Sequence, residues 1–452
     1  MIACFVIISG VAATFLLFVL SQPAYFIALP VIKVIAAQLV ALKVYDLGAT
    51  KLSPNELVGG ATFLVAAACF AFNVPRLLSR SHLRPMALCI LLLGLWCVLA
   101  SMASANPLVK LIEATKILGW MLLIPVVGFY IDTPAKLRKL RTTGIMCFMI
   151  VVVHLIAANI LHIGENVSKF YQLTMPGPYI GYFTQPAEIS LTLGSSLMFL
   201  LLRAQAQNQT VPPTPWSAAL LSSAGLAMMV PFMVRAPLIV FTLAILSALL
   251  FDRGQRIQNK RSIVMILALI SAMAVGGAYV AANYQKFINE RFKDVTLAVK
   301  SGNAKSIGSG RVGLLEVYLE SIEQRSFGNL LTGIDLTGSS DVFHPVVGSH
   351  NDWIDVTFKF GLISIMIYMI FWAVTVRTVY HRYKSAVEPS SKNLLSVAAA
   401  LCIAYIALSF HGMLFYQFPM HSLAIILGTA LGRLGAQSDE YNIVTSGVDA
   451  NA

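Results

Sequence analysis

Charge is what this chain has least of. Only 12% of its 452 residues are Asp, Glu, Lys or Arg, against 58% hydrophobic, and a soluble domain carries about 25% charged residues. A water-soluble globular protein is therefore excluded. Cysteine is sparse and unpatterned: Cys4, Cys69, Cys89, Cys97, Cys147 and Cys402 all fall in apolar stretches without C-x-x-C spacing. That rules against a disulfide framework or a thiolate metal site and leaves buried thiols. The sequence has no His/Cys/Asp/Glu cluster at metal-ligand spacing and no glycine-rich phosphate loop, which argues against a nucleotide-driven enzyme. It shows no internal repeat and no low-complexity tract. Neither a basic n-region nor a small-residue cleavage site accompanies Ile2–Leu20, so that stretch is expected to stay as a helix.

What the chain does have is apolar blocks long enough to cross a bilayer, at about 20 residues per helix. The expected spans are Ile2–Leu20, Ala24–Leu42, Leu57–Phe72, Met86–Met102, Leu108–Tyr130, Thr143–Ile163, Ile189–Leu202, Ser217–Val230, Ala236–Phe251, Ser262–Ala282, Trp353–Thr375, Leu394–Phe410 and Leu414–Leu431. The expected fold is all-α, a polytopic membrane helix bundle of about 12–13 transmembrane helices with one long periplasmic loop containing short helices.

The formal charge of +12 raises the question of nucleic acid, and its distribution answers it. Lys and Arg concentrate in short linkers: Arg76/Arg80/Arg84, Lys136/Arg138/Lys139/Arg141, Arg253/Arg256/Lys260/Arg261 and Arg377/Arg382/Lys384/Lys392. These alternate along the chain as cytoplasmic loops do under the positive-inside rule. The long segment 283–349 instead balances seven Lys/Arg with seven Asp/Glu. The basic excess is topological, and no nucleic-acid partner is expected. The organisation read from this is N-terminal helices over 1–163, an outer aromatic and proline-rich loop over 164–188, central helices over 189–282, the long outer loop over 283–349, C-terminal helices over 350–433 and a cytoplasmic tail over 434–452. Within the long loop, Arg311–Ile322 carries Leu314, Leu315, Tyr318 and Ile322 at helical spacing, an amphipathic run suited to the membrane surface.

Few residues are placed to do chemistry. Ser349-His-Asn-Asp352 has the form of a capping box just ahead of an apolar run. His350 in a first helical turn would be kept neutral by the helix dipole, as a general base requires, while Asp352 and Asp355 oppose that effect. A histidine that only helps cap the helix fits the same spacing. Arg235 opens the Ala236–Phe251 span, where a guanidinium either snorkels to headgroups or lines a wet cavity. Arg311 follows Gly308 and Gly310 at the start of the loop helix, and two such planar forks suit the oxygens of a pyrophosphate. Lys110, Glu113 and Lys116 recur every third residue near the outer end of Leu108–Tyr130, with Lys116 ~12 Å inside. They form either an ion-pair ladder within the bundle or a lysine face towards the arginines' cavity. His154, His162, His411 and His421 lie on separate spans and read as packed residues.

Taken in order, Arg235 opening a helix, Ser-Gly-Arg311 opening the long loop, and His350-Asn351 closing it ahead of an apolar helix with Gly361 resemble the O-antigen ligase and O-antigen polymerase superfamily. Gly181-Tyr-Phe-Thr-Gln-Pro186 is similar to that family's turn before a mid-chain helix, with Gln185 and Ala187 where asparagines are common. The resemblance covers about Gly181 to Leu431. It implies a metal-independent glycosyltransferase of the bacterial inner membrane, without cofactor, whose active site faces the periplasm. Arg235 and Arg311 would hold the donor's diphosphate, His350 would orient or deprotonate the attacking hydroxyl, and Asn351 and Tyr182 would contact substrate; Lys110 and Lys116, which lie outside the resemblance, join them as substrate contacts if their helix face lines the arginines' cavity. The implied partners are an undecaprenyl-diphosphate-linked glycan donor, a lipid-linked or lipid A-core glycan acceptor, membrane lipids and a chain-length regulator. A polymerase of lipid-linked repeats is the preferred expectation, a ligase onto lipid A-core the alternative, and a glycan flippase the alternative from another class.

Overall fold

The computed structural model describes residues 21–38, 45–46, 51–52, 54–104, 106–171, 177–183, 185–202, 216–229, 232, 234–251, 271, 274, 278, 282, 320, 323, 326–333, 351–386, 389–410 and 418–432. In chain order the helices are α1 (Gln22–Gln38), α2 (Pro54–Ser79), α3 (Arg84–Met102), α4 (Pro107–Tyr130), α5 (Pro134–Leu161), α6 (Val167–Tyr171), α7 (Pro186–Leu200), α8 (Trp216–Met229), α9 (Arg235–Phe251), α10 (Phe327–Thr332), α11 (Asp352–Ser385), α12 (Pro389–Ser409) and α13 (Phe418–Gly432). Six of them (α2, α3, α4, α5, α11 and α12) are long and apolar enough to cross a membrane. The chain is an all-α helix bundle, with one two-residue antiparallel pair among the described residues, Tyr45–Asp46 on Lys51–Leu52, between α1 and α2.

Proline sets most of the starts. Pro54, Pro85, Pro107, Pro134, Pro186 and Pro389 stand at the first or second helical position, where a missing N–H costs nothing and the fixed φ already suits the helix. Thr133 adds a cap to α5 by accepting from the Lys136 amide.

Burial sorts the helices into inner and outer. The apolar windows of α4 and α12 are 72% buried, that of α5 only 33%. On α5, Met146, Met149, Val153, Ile156 and Ile160 form an exposed stripe at alternating steps of three and four. Such an apolar stripe is the face a bilayer covers. At the centre, Trp120 of α4 stacks on Trp372 of α11 at 5.6 Å and on Tyr405 of α12 at 5.3 Å. The Tyr405 hydroxyl donates to the Met420 carbonyl and so fastens α13. α13 meets α4 backbone to backbone: a Cβ at Gly432 would stand 1.8 Å from the Gly128 carbonyl oxygen, and one at Gly428 2.4 Å from that of Ile124. This is the close approach that glycines four residues apart permit between membrane helices.

The described spans follow the expected ones with three differences. Lys136, Arg138, Lys139 and Arg141 lie within the first turns of α5, and Arg377, Arg382, Lys384 and Lys392 within α11 and α12. These basic residues are helix ends projecting past the apolar zone, not linkers. α2 continues through Pro75 to Ser79. The run expected as one span, Trp353–Thr375, is broken at Gly361, whose φ of 80° and ψ of −176° lie outside the helical region. Ile2–Leu20, most of Ser262–Ala282, the greater part of 283–349 and the tail 434–452 lie outside the described residues.

Candidate functional site

The beginning of α4 gathers charge. Lys110, Glu113 and Lys116 share one helical face through their three-residue spacing. The expected ladder forms in part: Lys116 donates to one oxygen of the Glu113 carboxylate. The other oxygen accepts from Lys359 of α11 at 2.9 Å, a partner that spacing along α4 does not announce. Lys110 turns elsewhere, its ammonium donating to the Thr332 carbonyl at the end of α10 at 3.0 Å. The Glu113 and Lys359 side chains are each 18% exposed and that of Lys116 26%. One carboxylate thus sits between two ammoniums, with a third cation one turn away and Lys116 the most open to solvent of the three paired side chains. Partly dehydrated charge of this kind near a membrane is stable only when paired or facing a wet cavity.

α11 opens beside this cluster. Asn351 is its N-cap, the carboxamide oxygen accepting from the Trp353 amide at 3.0 Å and the Ile354 amide at 3.3 Å. The cap expected of Ser349 is thus supplied by Asn351, two residues later. Asn is as good an N-cap as Ser, and its side chain meets the amides a cap must satisfy. Asp352 and Asp355 are buried in the first turn, where the positive end of the dipole favours carboxylates. Lys359 follows eight residues after the cap, ~12 Å along the helix.

Gly361 then ends the first segment of α11. A broken helix leaves carbonyls without donors, and side chains supply them here. The Trp96 indole N–H of α3 donates to the Phe360 carbonyl at 2.9 Å. The Ser364 hydroxyl reaches the Gly361 carbonyl at 2.7 Å and the Val356 carbonyl at 3.2 Å. α10 lies directly against the break: a Cβ on Gly361 would be 1.8 Å from the Leu331 carbonyl oxygen, and one on Gly333 2.3 Å from that of Lys359. Both glycines have a φ of 80°, a region L residues avoid. The long hydrophilic segment 283–349 is therefore tied through α10 to α4 and α11 at the lysine cluster.

Tyr182 belongs to a different support. Its amide donates to His154 Nε2 of α5 at 3.1 Å, and its ring, 44% exposed, stands 5.7 Å from the imidazole. The loop around it is clamped by side chains: the Asn159 carboxamide bonds both amide and carbonyl of Tyr179 at 2.9 and 3.1 Å, and Asn166 brackets Gly177. The loop expected over 164–188 is thus a built one where it is described, carrying the short helix α6. His154 is explained as a packed, hydrogen-bonded residue.

Of the expected site residues, Lys110, Lys116 and Asn351 are gathered around α10 and the first segment of α11, and Tyr182 is held by α5. Arg235 opens α9 as expected; its side chain, like the whole of Arg311 and His350, lies outside the described residues. Lys359, Thr332 and Trp96 were not singled out from the sequence. Lys359 alone left a visible trace, as a lone cation in the otherwise apolar run after Asp355. No protein-family model matches the chain, and no curated protein matches it.

Proposed function

We propose that this chain is a membrane glycosyltransferase of bacterial surface polysaccharide biosynthesis, polymerising undecaprenyl-diphosphate-linked repeat units at the periplasmic face of the inner membrane. The observation that supports it is the fastening of α10 to Lys110 and Gly361. It sets α10, which lies between Arg311 and His350 in the sequence, beside Lys110, Lys116 and Lys359. A site that expels a diphosphate needs cations at hand, because negative charge builds on the leaving group.

In this mechanism Arg235 and Arg311 grip the diphosphate as bidentate forks. His350 accepts the proton of the acceptor sugar's hydroxyl. The oxygen forms its bond to the donor's anomeric carbon as that carbon's bond to phosphate breaks, and undecaprenyl diphosphate leaves with the electron pair. Glu113 holds Lys116 and Lys359 in place so that their charge is fixed before the reaction, and Asn351 sets the start of α11 one residue beyond the base. The activated leaving group makes positioning and charge the main requirements.

The test is the glycan on undecaprenyl diphosphate in a strain lacking the protein. Single repeats exposed on the outer face are expected. Long lipid-linked chains that never reach lipopolysaccharide would make the enzyme a ligase, and repeats held on the cytoplasmic face would make it a transporter. His350→Ala is expected to abolish transfer with protein level unchanged; turnover at the wild-type rate would remove the histidine from the mechanism.

A further inference from the structure

The far end of α4 carries a cavity well away from the lysine cluster. Tyr130, the last residue of α4, lies ~30 Å from Lys110 along the helix. There α1, α2 and α4 leave a cavity of about 440 Å³, lined by Arg76, Asn73, Tyr130, Gln22, Phe72 and Pro75 among others. Its volume falls in the range of small-molecule sites, about 300–1,000 Å³.

The lining is graded from polar to apolar. Asn73 spends both carboxamide hydrogens inside the wall, on the Cys69 carbonyl at 2.8 Å and the Tyr130 hydroxyl at 3.0 Å. Its carboxamide oxygen is left as an acceptor. Arg76 stands one turn further on the same face of α2 and is exposed; none of the ion pairs among the described residues includes it. Three neighbouring cations are committed differently. Arg80 lies over the Phe129 ring at 4.8 Å, the Arg84 Nε donates to the Leu78 carbonyl at 2.6 Å, and Lys136 is bound to Asp132 and to the Tyr130 carbonyl. Pro75 inside α2 has no amide hydrogen to give the Ala71 carbonyl. On the outer side Phe72 is 86% exposed, the position of a ring against acyl chains.

We propose that this cavity binds the phosphate headgroup of an anionic phospholipid, with Arg76 on the phosphate, Asn73 and Gln22 on the headgroup's hydroxyls and Phe72 along the acyl chain. A guanidinium with open forks, an acceptor beside it and an apolar flank suit an amphiphile with one phosphate. The basic ends of α2, α3 and α5 raise the local concentration of anionic lipid. A soluble phosphate compound would use Arg76 and Asn73 but gain nothing from Phe72.

The test uses the purified full chain in detergent, titrated with phosphatidylglycerol or phosphatidylcholine in mixed micelles and read by thermal unfolding and native mass spectrometry. Phosphatidylglycerol is expected to raise the unfolding temperature and to be retained in the gas phase, and phosphatidylcholine to do so weakly. Arg76→Gln is expected to weaken phosphatidylglycerol binding about tenfold, the effect of losing one charged hydrogen-bonding partner. Arg84→Gln, at the same end, is expected to leave it unchanged. Equal binding in wild type and Arg76→Gln overturns the proposal. So does saturation of the effect by glycerol 3-phosphate or inorganic phosphate, which would assign the cavity to a soluble anion. Should Arg76→Gln not accumulate, Gln22→Trp fills the cavity from its lining instead, and undiminished lipid binding in that variant counts equally against the site.

Discussion

The two ends of α4 are both polar, yet they are held in opposite ways. At its beginning, Lys110 and Glu113 reach partners 222 and 246 residues away, in α10 and α11. At its end, the ion pair nearest Tyr130 joins Asp132 to Lys136, four residues apart, and the longest hydrogen bond is the 57-residue step from Asn73 to Tyr130; the remote contacts there are packing, Gly128 on Gly432 and Tyr130 on Phe26. Local charge pairs keep a helix end in water and specify little else. Remote ones fix a piece of extramembrane chain to the bundle, which a catalytic loop requires and a lipid-facing end does not. The difference is why the transfer site is proposed at the beginning of α4 and the lipid site at its end.

The strongest break in that contrast is Gly361→Ala. The methyl group would enter at 1.8 Å from the Leu331 carbonyl oxygen, on a backbone conformation that is essentially glycine-only. A loss of about 3 kcal/mol or more is expected in equilibrium unfolding, with transfer abolished because α10 no longer seats on α11. Next comes Glu113→Gln, which leaves Lys116 and Lys359 facing one another across a neutral amide. Breaking a half-buried charge network from one side costs about 3 kcal/mol. Adding Lys359→Gln removes the repulsion and should recover most of the stability. If transfer stays low in the stable double variant, the lysine charge itself serves the reaction; if it returns with stability, the cluster is only structural.

How much of this was legible in the sequence depends on whether the signal was local. Helix existence was, because each apolar block decides it alone: Met86–Met102 and Leu108–Tyr130 differ from α3 and α4 by two residues and one at their starts. The start of α5 was displaced by nine residues, since Lys136–Arg141 has a linker's composition although Thr133-Pro134 carries the cap and the first-turn proline. The break at Gly361 is silent in an apolar run, because what forces it is α10, some thirty residues earlier. The Lys116–Glu113 pair follows from spacing, whereas the second partner of Glu113 depends on how α11 packs. The same holds for the cap of α11: Ser349 and Asn351 are both good caps, and only the backbone chooses between them. Arg235, Arg311 and His350 were picked out by residue type and order, and their roles wait on the transfer assay.

The smallest expected effect is also the control for the largest. Asp132→Asn removes the charge that Lys136 meets across one turn at 2.7 Å, in a pair whose side chains are 30% and 38% exposed. Solvent screens such a pair, and an i,i+4 contact contributes about 0.3–0.5 kcal/mol. Lys136 also keeps its bond to the Tyr130 carbonyl at 2.9 Å, so the turn between α4 and α5 stays closed. Transfer is expected to be unchanged and stability to fall by no more than those few tenths, vanishing at high salt. A loss comparable to that of Glu113→Gln would mean that the charge at this end also holds the bundle together, and the distinction between a tethered and a solvated end of α4 would fail.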